Sequence, residues 1–205
     1  MSSAGEIYDK FPDQIKANEK YVFYSHGFIV EGTNPTPKNE RWGIYEFPSI
    51  KKSLADNEYN LIAYHRAKGT DPFVHAKLLV NDVRNLLKNG VPANHITIMG
   101  FSRGAFITSL TSHYLEDTPV NTVLLAGCGR IVSDKYSGIK MNGAFLSVYE
   151  TTDGAVTCKK LKNRSPKLTS FDEISISTGK EHGAFYRPIP EWVIPVKDWI
   201  KNKSS

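Results

Sequence analysis

Residues 100–104 read Gly-Phe-Ser-Arg-Gly, with the apolar run Ile96-Thr97-Ile98-Met99 before them and Ala105-Phe106-Ile107 after. This sequence predicts a strand running straight into a helix with one tight turn between them. The central residue of such a turn takes strained backbone geometry, and side chains two positions before and after it would strike neighbouring chain. Gly100 and Gly104 remove those side chains, leaving Ser102 exposed on the elbow with its hydroxyl above the sheet. Glycines also flank serines in plain turns. The strand before and the helix after separate the two readings.

Six segments rich in β-branched and aromatic residues, 21–25, 60–64, 96–101, 121–126, 145–150 and 173–177, each precede a turn or a helical pattern. That alternation predicts an α/β fold, a mostly parallel sheet covered by helices on both faces. With 205 residues and 40% hydrophobic content, one core spanning residues 1–205 as a single domain is expected. Helical periodicity is clear at Leu79, Val83, Leu86 and Leu87, closed by Asn89-Gly90, and at Phe106, Ile107, Leu110 and Tyr114; both read as one-faced helices. A last apolar stripe runs through Trp192, Val193, Val196, Trp199 and Ile200, with Pro195 expected in the first turn of a helix starting later than the stripe suggests. Segment 31–48 has no period and concentrates Trp42, Tyr45 and Phe47. It reads either as a lid or pocket wall or as a surface excursion packed by its own aromatics.

Chemistry at a serine hydroxyl needs a base to take the proton, a group to orient that base and donors for the oxyanion. The strand 21–25 ends in His26-Gly27-Phe28, and with the elbow at Ser102 the chain resembles the α/β-hydrolase superfamily. The resemblance implies a three-layer sandwich and, with only 20 residues ahead of the first strand, a reduced sheet of about six strands. It places the first and third strands side by side, where open α/β sheets form their binding crevice. It also implies backbone N–H groups of Phe28 and Arg103 as oxyanion donors, with His26 hydrogen-bonded beneath the loop and taking no part in proton transfer.

The same resemblance predicts a carboxylate just beyond a later strand and a histidine beyond the last. Asp153, in Thr151-Thr152-Asp153-Gly154, fits the first role; Asp134 is the runner-up, and Glu150 fits only if its strand ends early. His182 fits the second. His75 and His113 fall in helical patterns, His95 precedes a strand, and His65 ends the second strand on another loop. Nucleophile, acid and base then follow the order Ser, Asp, His. The connection 127–143 is too short for a cap domain, so an open site is expected, taking a small-molecule, short-chain acyl substrate or a large one reached at a surface cleft. The expected activity is ester or thioester hydrolysis; acyl transfer by the same residues and an inactive, binding-only scaffold are the alternatives.

Cys128 and Cys158 follow the fourth and fifth strands, adjacent in the implied sheet, so a disulfide between them is one reading and two buried thiols the other. A bridge favours a periplasmic or secreted location, free thiols a cytoplasmic one. Gly127-Cys128-Gly129-Arg130 imitates a dinucleotide fingerprint, but Val132 replaces the third glycine and no helix is evident after it. Neither cofactor nor metal is expected, since the histidines lack zinc-ligand spacing. The net charge of +5 includes a local cluster at Lys159, Lys160, Lys162, Arg164 and Lys167, read as a solvated face and not a nucleic-acid site. No apolar run is long enough to span a membrane, and no secretory signal is visible. Met1-Ser2-Ser3 also fits a remnant left on a mature chain whose targeting segment was removed. The oligomeric state is not legible.

Overall fold

A computed structural model describes residues 5–205; Met1-Ser2-Ser3 lies outside them. In chain order the elements are β1 (Ile7–Tyr8), β2 (Tyr21–Ser25), β3 (Lys38–Asn39), β4 (Gly43–Ile44), α1 (Phe47–Leu54), β5 (Asn60–Ile62) and α2 (Pro72–Lys88). There follow β6 (Ile96–Phe101), α3 (Arg103–Tyr114), β7 (Asn121–Leu125), β8 (Asn142–Glu150), α4 (Lys159–Asn163), β9 (Lys167–Ile176) and α5 (Pro190–Lys203). Seven strands form one parallel sheet in the order β1-β5-β2-β6-β7-β8-β9. The seventh, β1, is a two-residue edge strand beyond the six expected, pairing Ile7 with Leu61 and Tyr8 with Ile62. No cap domain interrupts the sheet, and the α/β-hydrolase arrangement is the one observed.

The period of two along the strands builds the layers. Val22 and Tyr24 on β2 face a core shared with Phe47, Ile50 and Leu54 of α1 and Trp192, Val196 and Trp199 of α5. Tyr21 and Phe23 face the opposite core, shared with Leu79, Val83 and Leu86 of α2 and Phe106, Ile107 and Leu110 of α3. Since β2 and β6 are neighbours, with β5 on one flank and β7 on the other, their connections diverge and open a crevice at their C-terminal ends.

Four expectations need correction. First, α3 is not one-faced: residues 104–112 are all buried. Thr108, Ser109 and Thr111 donate their hydroxyls to carbonyls of their own helix, so the face that reads as wet enters the core with its polar groups satisfied. Second, α5 begins at Pro190, so Pro195 lies inside it. Pro190 occupies the first turn, and the buried Trp192-to-Ile200 stripe offsets the single bond Pro195 cannot make.

Third, a five-residue π-helical turn, Ile131–Lys135, does follow Arg130. Arg164 explains it, donating to the carbonyls of Val132, Ser133 (2.9 Å), Tyr136 (3.4 Å) and Ile139 (2.8 Å). Arg164 is therefore a structural clamp, whereas Lys160 and Lys167 of the same cluster pair at the surface with Asp134 and Asp117. Fourth, β8 and β9 extend earlier than expected, and segment 31–48 holds the β3–β4 hairpin and the start of α1, whose first turn accommodates Pro48.

Candidate active site

Ser102 follows the last residue of β6 and caps α3, with φ 54° and ψ −115°, a strained conformation for a residue with a Cβ. The glycines permit it. A Cβ on Gly100 would overlap the Gly104 backbone, and one on Gly104 would overlap the carbonyl of Ser25 at the end of β2. The elbow is thus wedged between two strands, and Ser102 N–H is tied to the Leu125 carbonyl at 3.1 Å.

Three side chains far apart in sequence meet there. His182 Nε2 lies 2.8 Å from Ser102 Oγ, and His182 Nδ1 lies 2.7 Å from Asp153 Oδ2. An ionised carboxylate only accepts, so Nδ1 carries the proton and the Nε2 lone pair faces the serine hydroxyl. The His182 ring packs against Phe101 and Trp42, with centroids 4.7 and 5.2 Å away. Glu181, in left-handed backbone (φ 52°), accepts from Arg41 Nη2 at 2.7 Å and Trp42 Nε1 at 3.1 Å, anchoring the histidine turn to the β3–β4 hairpin. The runner-up Asp134 points elsewhere, pairing with Lys160 at 3.2 Å.

Glu150 makes no hydrogen bond to His182, but it holds the loop that carries it. Fully buried at the end of β8, it accepts from Thr152 N–H (2.7 Å) and hydroxyl, and from Thr178 N–H (2.8 Å) and Gly179 N–H (3.0 Å). One carboxylate therefore clamps the loop carrying Asp153 to the loop carrying His182. Burial alone would raise its pKa, but those hydrogen bonds outweigh burial and hold it down at about 2. Sequence flagged Glu150 only as an alternative acid, because nothing in it announces that two loops converge on that strand end.

The facing wall is the turn after β2. His26 is fully buried; its Nε2 accepts from Arg66 N–H at 3.0 Å, so Nδ1 holds the proton and donates to the Gly27 carbonyl at 2.8 Å. Burial and the neighbouring Arg66 charge push its pKa down to about 2, so the ring stays neutral. Gly27 N–H donates to Tyr45 Oη at 3.2 Å, which also bonds Tyr24 Oη at 2.7 Å, making segment 31–48 a wall as well as an aromatic cluster. Glu31, buried, accepts from Arg66 Nε (3.4 Å) and Arg103 Nε (3.1 Å), while Arg66 Nη2 donates to the His26 carbonyl. This ionic group ties the His26-Gly27-Phe28 turn to the elbow. No sequence signal links Glu31 to Arg66 and Arg103.

Two clefts meet at Ser102. The larger, about 570 Å³, runs between Phe28, Phe73, Phe106, Ile131 and Tyr136; the smaller, about 290 Å³, lies under Trp42, Tyr45 and Tyr186. Cys128 and Cys158 form a disulfide, with Cα atoms 5.2 Å apart. Among the described residues, no cluster of His, Cys, Asp or Glu could hold a metal ion, and no helix is long and apolar enough to cross a membrane.

The fold is similar to those of several solved structures. SOBER1 of Arabidopsis thaliana superposes with a TM-score of 0.57 at 13% identity, over 91% of this chain and 100% of that one. A predicted CIB-like hydrolase from Thermoplasma acidophilum gives 0.59 at 17% identity, over 92% and 89%. The thioesterase RedJ from the prodiginine biosynthetic pathway of Streptomyces coelicolor gives 0.58 at 8% identity, over 94% and 92%. At these identities the likeness is one of fold. No curated protein matches significantly. The phospholipase/carboxylesterase family model, however, matches residues 73–187, more than half of the sequence and including Ser102, Asp153 and His182. The chain therefore belongs to the phospholipase/carboxylesterase family, and ester hydrolysis is the class of chemistry this membership supports.

Proposed function

We propose that the protein is a serine hydrolase of carboxylic esters or thioesters, working in one α/β-hydrolase domain through an acyl-enzyme on Ser102. The observation that carries this reading is the unbroken hydrogen-bonded series from Asp153 through His182 to Ser102. Ser102 Oγ attacks the carbonyl carbon as its proton passes to His182 Nε2, while Asp153 keeps the imidazole in the required tautomer and stabilises the imidazolium. The oxyanion is received by the N–H groups of Phe28 and Arg103, which open a 3-10 turn and α3 respectively, positions where a backbone donor lacks an intrahelical acceptor. Each donor contributes on the order of 3 kcal/mol to lowering the barrier. His182 then protonates the departing alkoxide or thiolate. Water repeats the sequence on the acyl-enzyme, releasing the acid and restoring the serine proton.

The Cys128–Cys158 bridge supports an oxidising compartment, periplasmic or extracellular. Ser102→Ala tests the catalytic reading. Turnover of chromogenic esters and labelling by a fluorophosphonate are both expected to vanish; undiminished labelling of the variant rules Ser102 out as nucleophile.

A further inference from the structure

The proposed mechanism uses the part of the larger cleft beside Ser102 and leaves the rest of its lining unassigned. Its walls are apolar, formed by Phe28, Phe73, Phe106, Ile131, Val132 and Tyr136. Phe28 and Ile131 of this lining remain 58% and 52% exposed, surface that a bound hydrocarbon chain would cover. The charged residues of the lining are all of one sign: Arg103, Arg130 and Lys135, with no aspartate or glutamate. Arg103 is committed, donating to Glu31 and to the Thr70 carbonyl. Arg130 makes no ion pair or hydrogen bond with a described residue, and Lys135 lies only over the Tyr136 ring, 5.5 Å from its centroid.

No described carboxylate forms an ion pair with Arg130 or Lys135: Asp134 pairs with Lys160, Asp71 caps α2 at the N–H groups of Phe73 and Val74, and Asp153 bonds His182. The smaller cleft has no aspartate, glutamate, lysine or arginine in its lining, so the asymmetry distinguishes the two sides of Ser102.

We propose that the larger cleft selects acyl chains that are apolar next to the carbonyl and anionic at the far end, as in half-esters or half-thioesters of medium-length dicarboxylic acids. The direction of the chain rests on Ser102 as nucleophile. Arg130 and Lys135, neither of them in an ion pair among the described residues, share the lining of one apolar trough, where low-dielectric walls focus their field. Because both cations are exposed, the discrimination they produce is modest, roughly three- to tenfold in kcat/KM.

The test compares the p-nitrophenyl half-ester of suberic acid with p-nitrophenyl octanoate, which has the same chain length without the terminal charge. The half-ester is expected to be preferred, with a preference that shrinks as salt is raised and inverts in Arg130→Glu/Lys135→Glu. A wild-type ratio at or below one, or a ratio that charge reversal does not move, overturns the proposal while leaving catalysis at Ser102 intact. A second measurement does not depend on turnover: suberate is expected to bind Ser102→Ala protein more tightly than octanoate by calorimetry. If the wild type hydrolyses neither ester but that binding preference holds, the catalytic reading falls and the anion site stands; equal binding overturns the site.

Discussion

The two walls facing Ser102 each rest on a buried glutamate, and they hold it differently. Glu31, beneath the His26-Gly27-Phe28 turn, is neutralised by two guanidinium groups reaching in from α3 and from the loop after β5, yet its Oε2 and the Arg66 Nη1 have no protein hydrogen-bond partner among the described residues. Glu150, beneath the loops of Asp153 and His182, has both oxygens saturated, largely by backbone N–H groups of the two loops it joins. Charge holds the first wall and tolerates small shifts; directional hydrogen bonds hold the second, fixing the geometry of Asp153 and His182.

The largest effect is expected where the first wall meets the elbow. Gly104→Ala places a methyl group inside the Ser25 carbonyl, so folding should be lost or stability reduced by more than about 4 kcal/mol in urea titration. A variant within about 1 kcal/mol of wild type would show that the elbow can shift. Next, Glu31→Gln strips the charge that the buried Arg66 and the partly exposed Arg103 guanidinium share and should cost about 3 kcal/mol of stability, mostly through Arg66, with a smaller loss of kcat. Glu150→Gln turns an amide donor toward existing N–H donors and should cost about 2 kcal/mol, with the heavier loss falling on kcat at little change in KM. If both variants divide their losses between stability and kcat in the same proportion, the contrast between the walls fails.

Acid should separate the walls more gently. His26 protonates near 6.5 in the unfolded chain but only near 2 when folded, so stability present above pH 6.5 declines as pH falls below it, by about 1.4 kcal/mol per unit. His75, pushed down to about 4 by burial and Arg66, adds a loss of the same sign. Glu150 adds its loss only below its unfolded value of 4.5, since it must be protonated toward a folded value near 2. Denaturation midpoints should therefore begin to drop between pH 6.5 and 5. A flat profile there would mean that His26 is charged in the fold.

The strands and the elbow were legible because their causes are local. Period-two runs, a turn that tolerates only glycine at 100 and 104, and the helical stop at Asn89-Gly90 are written within a few residues of where they act. Helix α3 was misread as one-faced because its serines and threonines satisfy themselves on their own backbone, which no polarity pattern reveals. The π-helical turn depended on Arg164, some thirty residues downstream, and the early start of α5 on which of two prolines takes the first turn.

By itself, the sequence determined a parallel α/β sheet with a serine elbow at 102, because backbone sterics and hydrophobic period act at short range. The tertiary structure decided that Asp153 and His182 meet that serine, that Glu150 joins their loops, and that Glu31 draws Arg66 and Arg103 together. Those contacts depend on how separate strand ends are aligned, and that alignment is fixed only when both cores pack.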